Sequence, residues 1–220
     1  MTRGVVRALG IVGLFLFVAL PSHAALINLT LQGSPDFYII DLGITYSAAS
    51  TKFEAIGATD TYIDPSDSYN YVGDLPSSFN LTAYITGAGM LTNGTVSIEG
   101  DTDFDTFAET LLTGNLLTGA DGSAFGSTTN GVGLFEFRFS VTGGNVAGDF
   151  GGIGATVGVI ITPDGSTFGG TWSSDFAASG GFGYADNAPI IPEPSSFFLL
   201  ALGVALCVAT HRSRKLAPVP

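Results

Sequence analysis

The densest set of side chains able to do chemistry is the acidic run Glu99, Asp101, Asp103, Asp105 and Glu109. Along an extended chain, alternation puts Glu99 through Asp105 on one face, where like charges repel. A hard cation such as Ca²⁺, which takes about six to eight oxygen ligands, relieves that repulsion. The Asp-x-Asp-x-Asp spacing opens like an EF-hand loop and then departs from it. Thr106 stands where such a loop needs glycine, and Leu112 where it needs the bidentate glutamate. Asp101, Asp103 and Asp105 are therefore calcium candidates. The competing reading is a solvated acidic loop that ends in a helix cap.

Three other chemistries compete. Paired carboxylates support glycoside hydrolysis without histidine, but 19 acids offer many pairs and nothing marks one as buried and poised. Lys52, beside Phe53, reads as a snorkelling surface residue rather than the activator of a serine. Tyr62, Tyr69, Tyr71, Tyr84 and Trp172 are candidates for a sugar-binding platform, with Asp60, Asp64, Ser66, Asp67 and Asn70 interleaved near the first three. Core packing is the other use for such rings. Between Ala25 and Ile191 there is neither cysteine nor histidine: Cys207, His23 and His211 all lie outside. This excludes disulfides, Ser-His-Asp and Cys-His catalysis, and histidine-ligated zinc in that stretch. The Gly-rich segment Gly143–Gly154 lacks a phosphate-loop lysine.

The ends carry addresses. Arg3 and Arg7 precede an apolar run from Leu9 to Leu20, Pro21 breaks it, and Ser22-His23-Ala24 ends in a small residue suited to cleavage. Residues 1–24 read as a secretory signal peptide. At the other end, Pro192-Glu193-Pro194 precedes an uncharged, mostly apolar run from Phe197 to Thr210, then His211, Arg212, Arg214 and Lys215. The prolines stop any helix from upstream, and Ser195 or Ser196 caps the next one. Snorkelling by the basic residues lengthens the reach of that membrane helix and keeps its end cytoplasmic. Both ends then start in the cytoplasm, and everything between them is translocated.

The segment 192–220 closely resembles the PEP-CTERM sorting signal of exported bacterial proteins. The matching residues are Pro192, Glu193, Pro194, the Phe197–Thr210 run, Arg212, Arg214 and Lys215; Leu216–Pro220 extend past the point where members usually stop. The resemblance implies recognition by exosortase, an integral-membrane cysteine transpeptidase, and cleavage near Pro-Glu-Pro. It also implies transient residence in the inner membrane, then release to the cell surface or outside. Proteins of this family are associated with exopolysaccharide production, which implies a role in the extracellular matrix.

The body, residues 25–191, holds only Lys52 and Arg138 against 18 acids, a net charge of −16. Such a surface repels nucleic acid and anionic headgroups. Its 167 residues suffice for one domain, and 27 of the 31 glycines fall within it. The hydrophobic period is two. Leu26–Gln32, Asp36–Tyr46, Phe79–Thr86, Val132–Thr142, Ala155–Thr162 and Thr167–Trp172 read as strands. Tyr38, Ile40, Leu42, Ile44 and Tyr46 fall on one face of the second. In the fourth, Phe135, Phe137, Phe139 and Val141 point inward, with Glu136 and Arg138 outward. Asn93-Gly94 is a two-residue hairpin signal. Asp105–Leu112, with a cap residue, an acidic first turn and Gly114 beyond, reads as one short helix. The expected fold is all-β: a single antiparallel β-sandwich or jelly-roll-like domain. From Phe125 onward the body also loosely resembles the C-terminal half of other PEP-CTERM proteins, which implies a secreted β-domain and no reaction.

The expectation is thus a non-enzymatic exported surface or matrix protein. The first alternative is a carbohydrate- or calcium-dependent binding module. The second is a carboxylate-based glycosidase.

Overall fold

The computed structural model describes residues 26–29, 33–72, 77–102, 107–118, 125–127 and 133–187. These form eleven strands: β1 (Asp36–Ser47), β2 (Lys52–Ile63), β3 (Tyr69–Tyr71), β4 (Ser78–Ile85), β5 (Leu91–Gly100), β6 (Glu109–Leu116), β7 (Phe125–Ser127), β8 (Phe135–Gly143), β9 (Thr156–Pro163), β10 (Phe176–Ser179) and β11 (Gly181–Asn187). Eight of them, β1, β2, β4, β5, β6, β8, β9 and β11, pair antiparallel in that order. Pairing of β11 back to β1 closes the ring into a barrel. The short strands extend it: β10 on β1, β3 on β2 and β7 on β8. The expectation of an all-antiparallel β domain holds in this coarse form. The eight strands close on themselves and do not separate into two sheets.

Period two explains the barrel wherever the pairing is regular. Phe79, Leu81, Ala83 and Ile85 of β4, and Phe135, Phe137, Phe139 and Val141 of β8, fill the interior. The helix expected over Asp105–Leu112 is overturned where it is described. Thr110, Leu111 and Leu112 belong to β6, which supplies backbone partners to β5 and β8 at once. A helix there would leave both neighbouring edges unpaired. Asn93-Gly94 is not a turn either. It lies inside β5, and the hairpin is made by Thr86–Met90, where Thr86 N–H donates to Met90 O at 2.9 Å and Gly89 N–H to Thr86 O at 2.8 Å. Thr167–Trp172 forms no strand, yet Phe168 and Trp172 are buried.

β1 shows a shifted phase. Phe37 and Ile39 face inward, and then Leu42, Ile44 and Tyr46 do. The slip falls at Asp41, which takes a left-handed φ of 53°, where the register against β2 shifts between Ile40 and Gly43. Such a bulge turns the side chains before it to the opposite face. Tyr38 and Ile40, expected inside, therefore lie outside.

Aromatic rings seal both ends of the barrel. Near Tyr46, Trp172 meets Tyr46 (ring centroids 4.9 Å), Phe168 (5.1 Å), Phe176 (5.4 Å), Phe125 (5.5 Å), Phe135 (5.8 Å) and Phe53 (6.1 Å). The Tyr46 hydroxyl donates toward Ile85 O at 2.8 Å and lies 3.0 Å from Trp172 O. At the other end of β1, Phe150 of the Gly-rich loop stacks on Phe37 at 5.4 Å, and the Tyr62 hydroxyl donates to Asp149 Oδ2 at 2.5 Å. Burial and that carboxylate hold the Tyr62 phenol far above the usual tyrosine range.

Glu136 and Arg138 point outward from β8 but are not solvated: they are 3% and 8% exposed. Residues 26–29 lie over Glu136. Asn28 N–H donates to its Oε2 at 2.9 Å and Leu29 N–H to its Oε1 at 3.1 Å. Arg138 stands opposite Gly158, which stands opposite Asp186, which stands opposite Asp36. Asp186 is fully buried. On sequence alone, Arg138→Asp would be a tolerated surface change. The structure reverses this expectation, because the change puts a third carboxylate into a buried acidic row and removes the cation. It should cost about 3 kcal/mol or more, measurable as a lowered urea midpoint with an unchanged slope.

Candidate functional site

Among the described residues, two features stand out on the outer surface of the barrel, whose interior is lined by buried apolar side chains. The first is an open groove of about 580 Å³ on β2, β4, β5 and β6. Strand register lays its walls out in rows. Lys52, Tyr84 and Asn93 are opposite one another, as are Thr82, Thr95 and Asn115. Thr92, Leu116 and Thr118 complete the wall. The lining is mostly neutral hydrogen-bonding groups. Its cation is engaged: Lys52 Nζ lies 2.7 Å from Glu54 Oε1, and this contact holds the ammonium above its usual range.

The second feature crosses the strands. Tyr71 of β3 stands opposite Thr61 of β2, Thr61 opposite Tyr38 of β1, Tyr38 opposite Tyr184 of β11, and Tyr184 opposite Ile160 of β9. Residues directly opposite in a ladder share a face, so these side chains form one outward row. Tyr38 and Tyr184 meet at 5.1 Å, and Phe182 meets Tyr184 edge-on at 5.9 Å. Tyr69 and Tyr71 are 77% and 48% exposed and Phe182 is 36% exposed.

The turn leading into β3 is held by its own polar groups. Asp64 Oδ1 accepts from Ser66 N–H at 2.8 Å, Ser66 Oγ at 2.6 Å and Ser68 N–H at 3.0 Å. These bonds lower the Asp64 carboxyl below its ordinary range. Ser34 Oγ also donates to Asp67 Oδ1, which ties this turn to the start of β1. On the next row, Asp36 stands between Ile63 and Asp186. Burial raises the Asp36 carboxyl, a hydrogen bond with Asp186 opposes the rise, and the Asp67 charge adds to it.

The five aromatic candidates divide. Tyr62 and Trp172 are core, 4% and 2% exposed. Tyr84 lines the groove. Tyr71 joins the outer row together with Tyr38 and Tyr184, which were not among the candidates, and Tyr69 stands beside it, opposite Ile63. The alternation Phe182-Gly183-Tyr184 is the one local signal that pointed to Tyr184.

The calcium candidates are not assembled among the described residues. Asp101 is 4% exposed at the end of β5, while Asp103 and Asp105 lie outside the described residues. No group of three or more His, Cys, Asp or Glu able to hold a metal is found among the described residues. The sorting-signal residues Pro192, Glu193, Pro194, Arg212, Arg214 and Lys215, and the signal peptide, also lie outside them. No protein-family model matches the chain, and no curated protein and no solved structure is similar to it.

Proposed function

We propose that this is an exported, non-enzymatic protein of the cell surface or extracellular matrix, released from a membrane-held tail and associated with exopolysaccharide. The observation that carries this reading is the three-part C-terminal segment: Pro192-Glu193-Pro194, the apolar run Phe197–Thr210, and Arg212, Arg214 and Lys215. It fits exosortase processing, with the inner membrane as a transient partner. The signal peptide at the other end and the −16 body, which disfavours nucleic acid, agree with it. A second reading, a carbohydrate-binding module, is favoured by the exposed rings of Tyr69 and Tyr71.

The experiment is intact-mass measurement of protein extracted from the cell surface. It should show loss of everything before Ala25 and of the Phe197–Pro220 segment. Replacing Pro192-Glu193-Pro194 by alanines should leave the tail uncleaved and the protein in the inner membrane. A full-length C-terminus on surface-extracted protein would defeat the reading.

A further inference from the structure

The geometry points to the outer row Tyr71–Thr61–Tyr38–Tyr184, flanked by Tyr69 and Phe182, as a docking track for a linear, uncharged polysaccharide. This deepens the matrix reading and rests on it for the source of the polymer. The row crosses four neighbouring strands, β3, β2, β1 and β11. At about 4.8 Å between strands it is about 14 Å long. It lies on the outer face of the barrel, whereas a small metabolite is normally enclosed in a cleft. An extended chain laid across the strands would meet the rings in succession.

Charge selects the occupant. The body carries −16, and the row is bordered by Asp36, opposite Ile63, and by the Asp64 and Asp67 turn. Polyanions, whether nucleic acids, uronate polymers or anionic lipid surfaces, are repelled. A second copy would bring the same charge against itself. A neutral sugar polymer meets no such barrier. Its C–H faces stack on phenol rings, while its hydroxyls donate to carboxylates, the stronger kind of hydrogen bond.

The rings are also held in place before any ligand arrives. Tyr38 and Tyr184 pack ring against ring at 5.1 Å between centroids, and burial raises the Tyr184 phenol. Tyr69 and Tyr71 sit on a strand fixed by the Asp64 turn. For the packed Tyr38–Tyr184 pair, less side-chain freedom remains to be lost on binding.

The test is affinity electrophoresis of the body in gels containing a soluble mixed-linkage β-glucan, a xylan, a galactomannan or a dextran, with polygalacturonate as the polyanion. At least one neutral polymer should retard the protein, and polygalacturonate should not. Tyr71→Ala and Tyr184→Ala should each weaken the apparent Kd roughly fivefold, the factor that a ring contact of about 1 kcal/mol supplies. Tyr71→Phe and Tyr184→Phe keep the stacking face and should retain most of the binding, which separates ring loss from misfolding. Ile153→Ser, an exposed change on the Gly-rich loop, should have no effect. Retardation by none of the neutral polymers would overturn the proposal. So would retardation untouched by removal of either ring, or abolished by moderate salt, which would mark a purely electrostatic contact. A concentration-dependent dimer lost in Tyr71→Ala would assign the row to a second copy and overturn it too. None of these outcomes bears on tail processing, which stands or falls on the mass measurement.

Discussion

Trp172→Ala should destabilise the barrel by about 3–5 kcal/mol, the range for deleting a buried aromatic ring. Trp172 comes from a segment with no regular structure, yet its indole is 2% exposed and touches six other rings. Its partners come from β1, β2, β7, β8 and β10 as well as from Phe168, so one ring joins five strands at one end of the barrel. The strands around the gap are held by their ladders and cannot collapse into it, which keeps the cavity cost high. Trp172→Phe restores part of the volume and should recover part of the loss. Chemical denaturation followed by circular dichroism will measure both. A loss below about 1 kcal/mol for the alanine variant would mean that the 164–175 segment does not close the barrel.

Gly144→Ala should cost about 3 kcal/mol or more, although it adds one methyl group. Gly144 follows β8 with φ at +114°, a region L side chains rarely adopt. A Cβ built there would lie 2.2 Å from Leu111 O and 2.6 Å from Leu112 Cα. Both obstacles are backbone, so neither can rotate away. The neighbouring residues are tied to the same strand, Asn145 N–H to Thr110 O at 3.0 Å and Val146 N–H to Leu111 O at 3.1 Å. Relief of the clash would tear this loop from β6, and backbone strain and overpacking add. Gly148, in the same loop, has no atom within 4 Å of its would-be Cβ. Gly148→Ala should be close to neutral or slightly stabilising. A matched pair of urea melts distinguishes the two.

The fold was legible where side chains alternate without interruption. Phe79–Ile85 and Phe135–Val141 read correctly because no bulged residue falls inside either run: the irregularities beside them take up Thr92 of β5 and Thr142. Legibility failed where a bulge resets the phase. Asp41 leaves no mark in composition, yet it turns Tyr38 from the expected inside to the outside. In β6, adjacent Leu111 and Leu112 are both buried, and Leu111 is the extra residue where the register against β5 shifts between Ile98 and Glu99. The two-residue period is therefore lost, and the capping signals around Asp105 prevailed in the sequence reading. Asn93-Gly94 shows tertiary pairing overriding a strong local turn preference. The tyrosine row was not legible at all as a row. Tyr71, Tyr38 and Tyr184 become neighbours only through the register of strands far apart in the chain, and a single sequence does not carry that register. Glu136 and Arg138 were placed on the correct side of β8. Their burial was missed because it depends on which segment covers the strand.

The closing pair of the ring, β1 with β11, has a consequence for the order of events during synthesis. A chain emerges N-terminus first, so β1 and β2 are available early and zip into a long local hairpin. β11 is the last strand to appear, and its place is between β1 and β9. Until it arrives, Asp36–Ile39 of β1 and the outer edge of β9 lack their partner, and the ring cannot close. Sequence-distant pairing of this kind is slow, because a loop of more than a hundred residues must close first. The final strand acts as a keystone. A chain stopped before Gly181 would lack it entirely, and the stretches of β1 and β9 left unpaired would offer themselves to other chains.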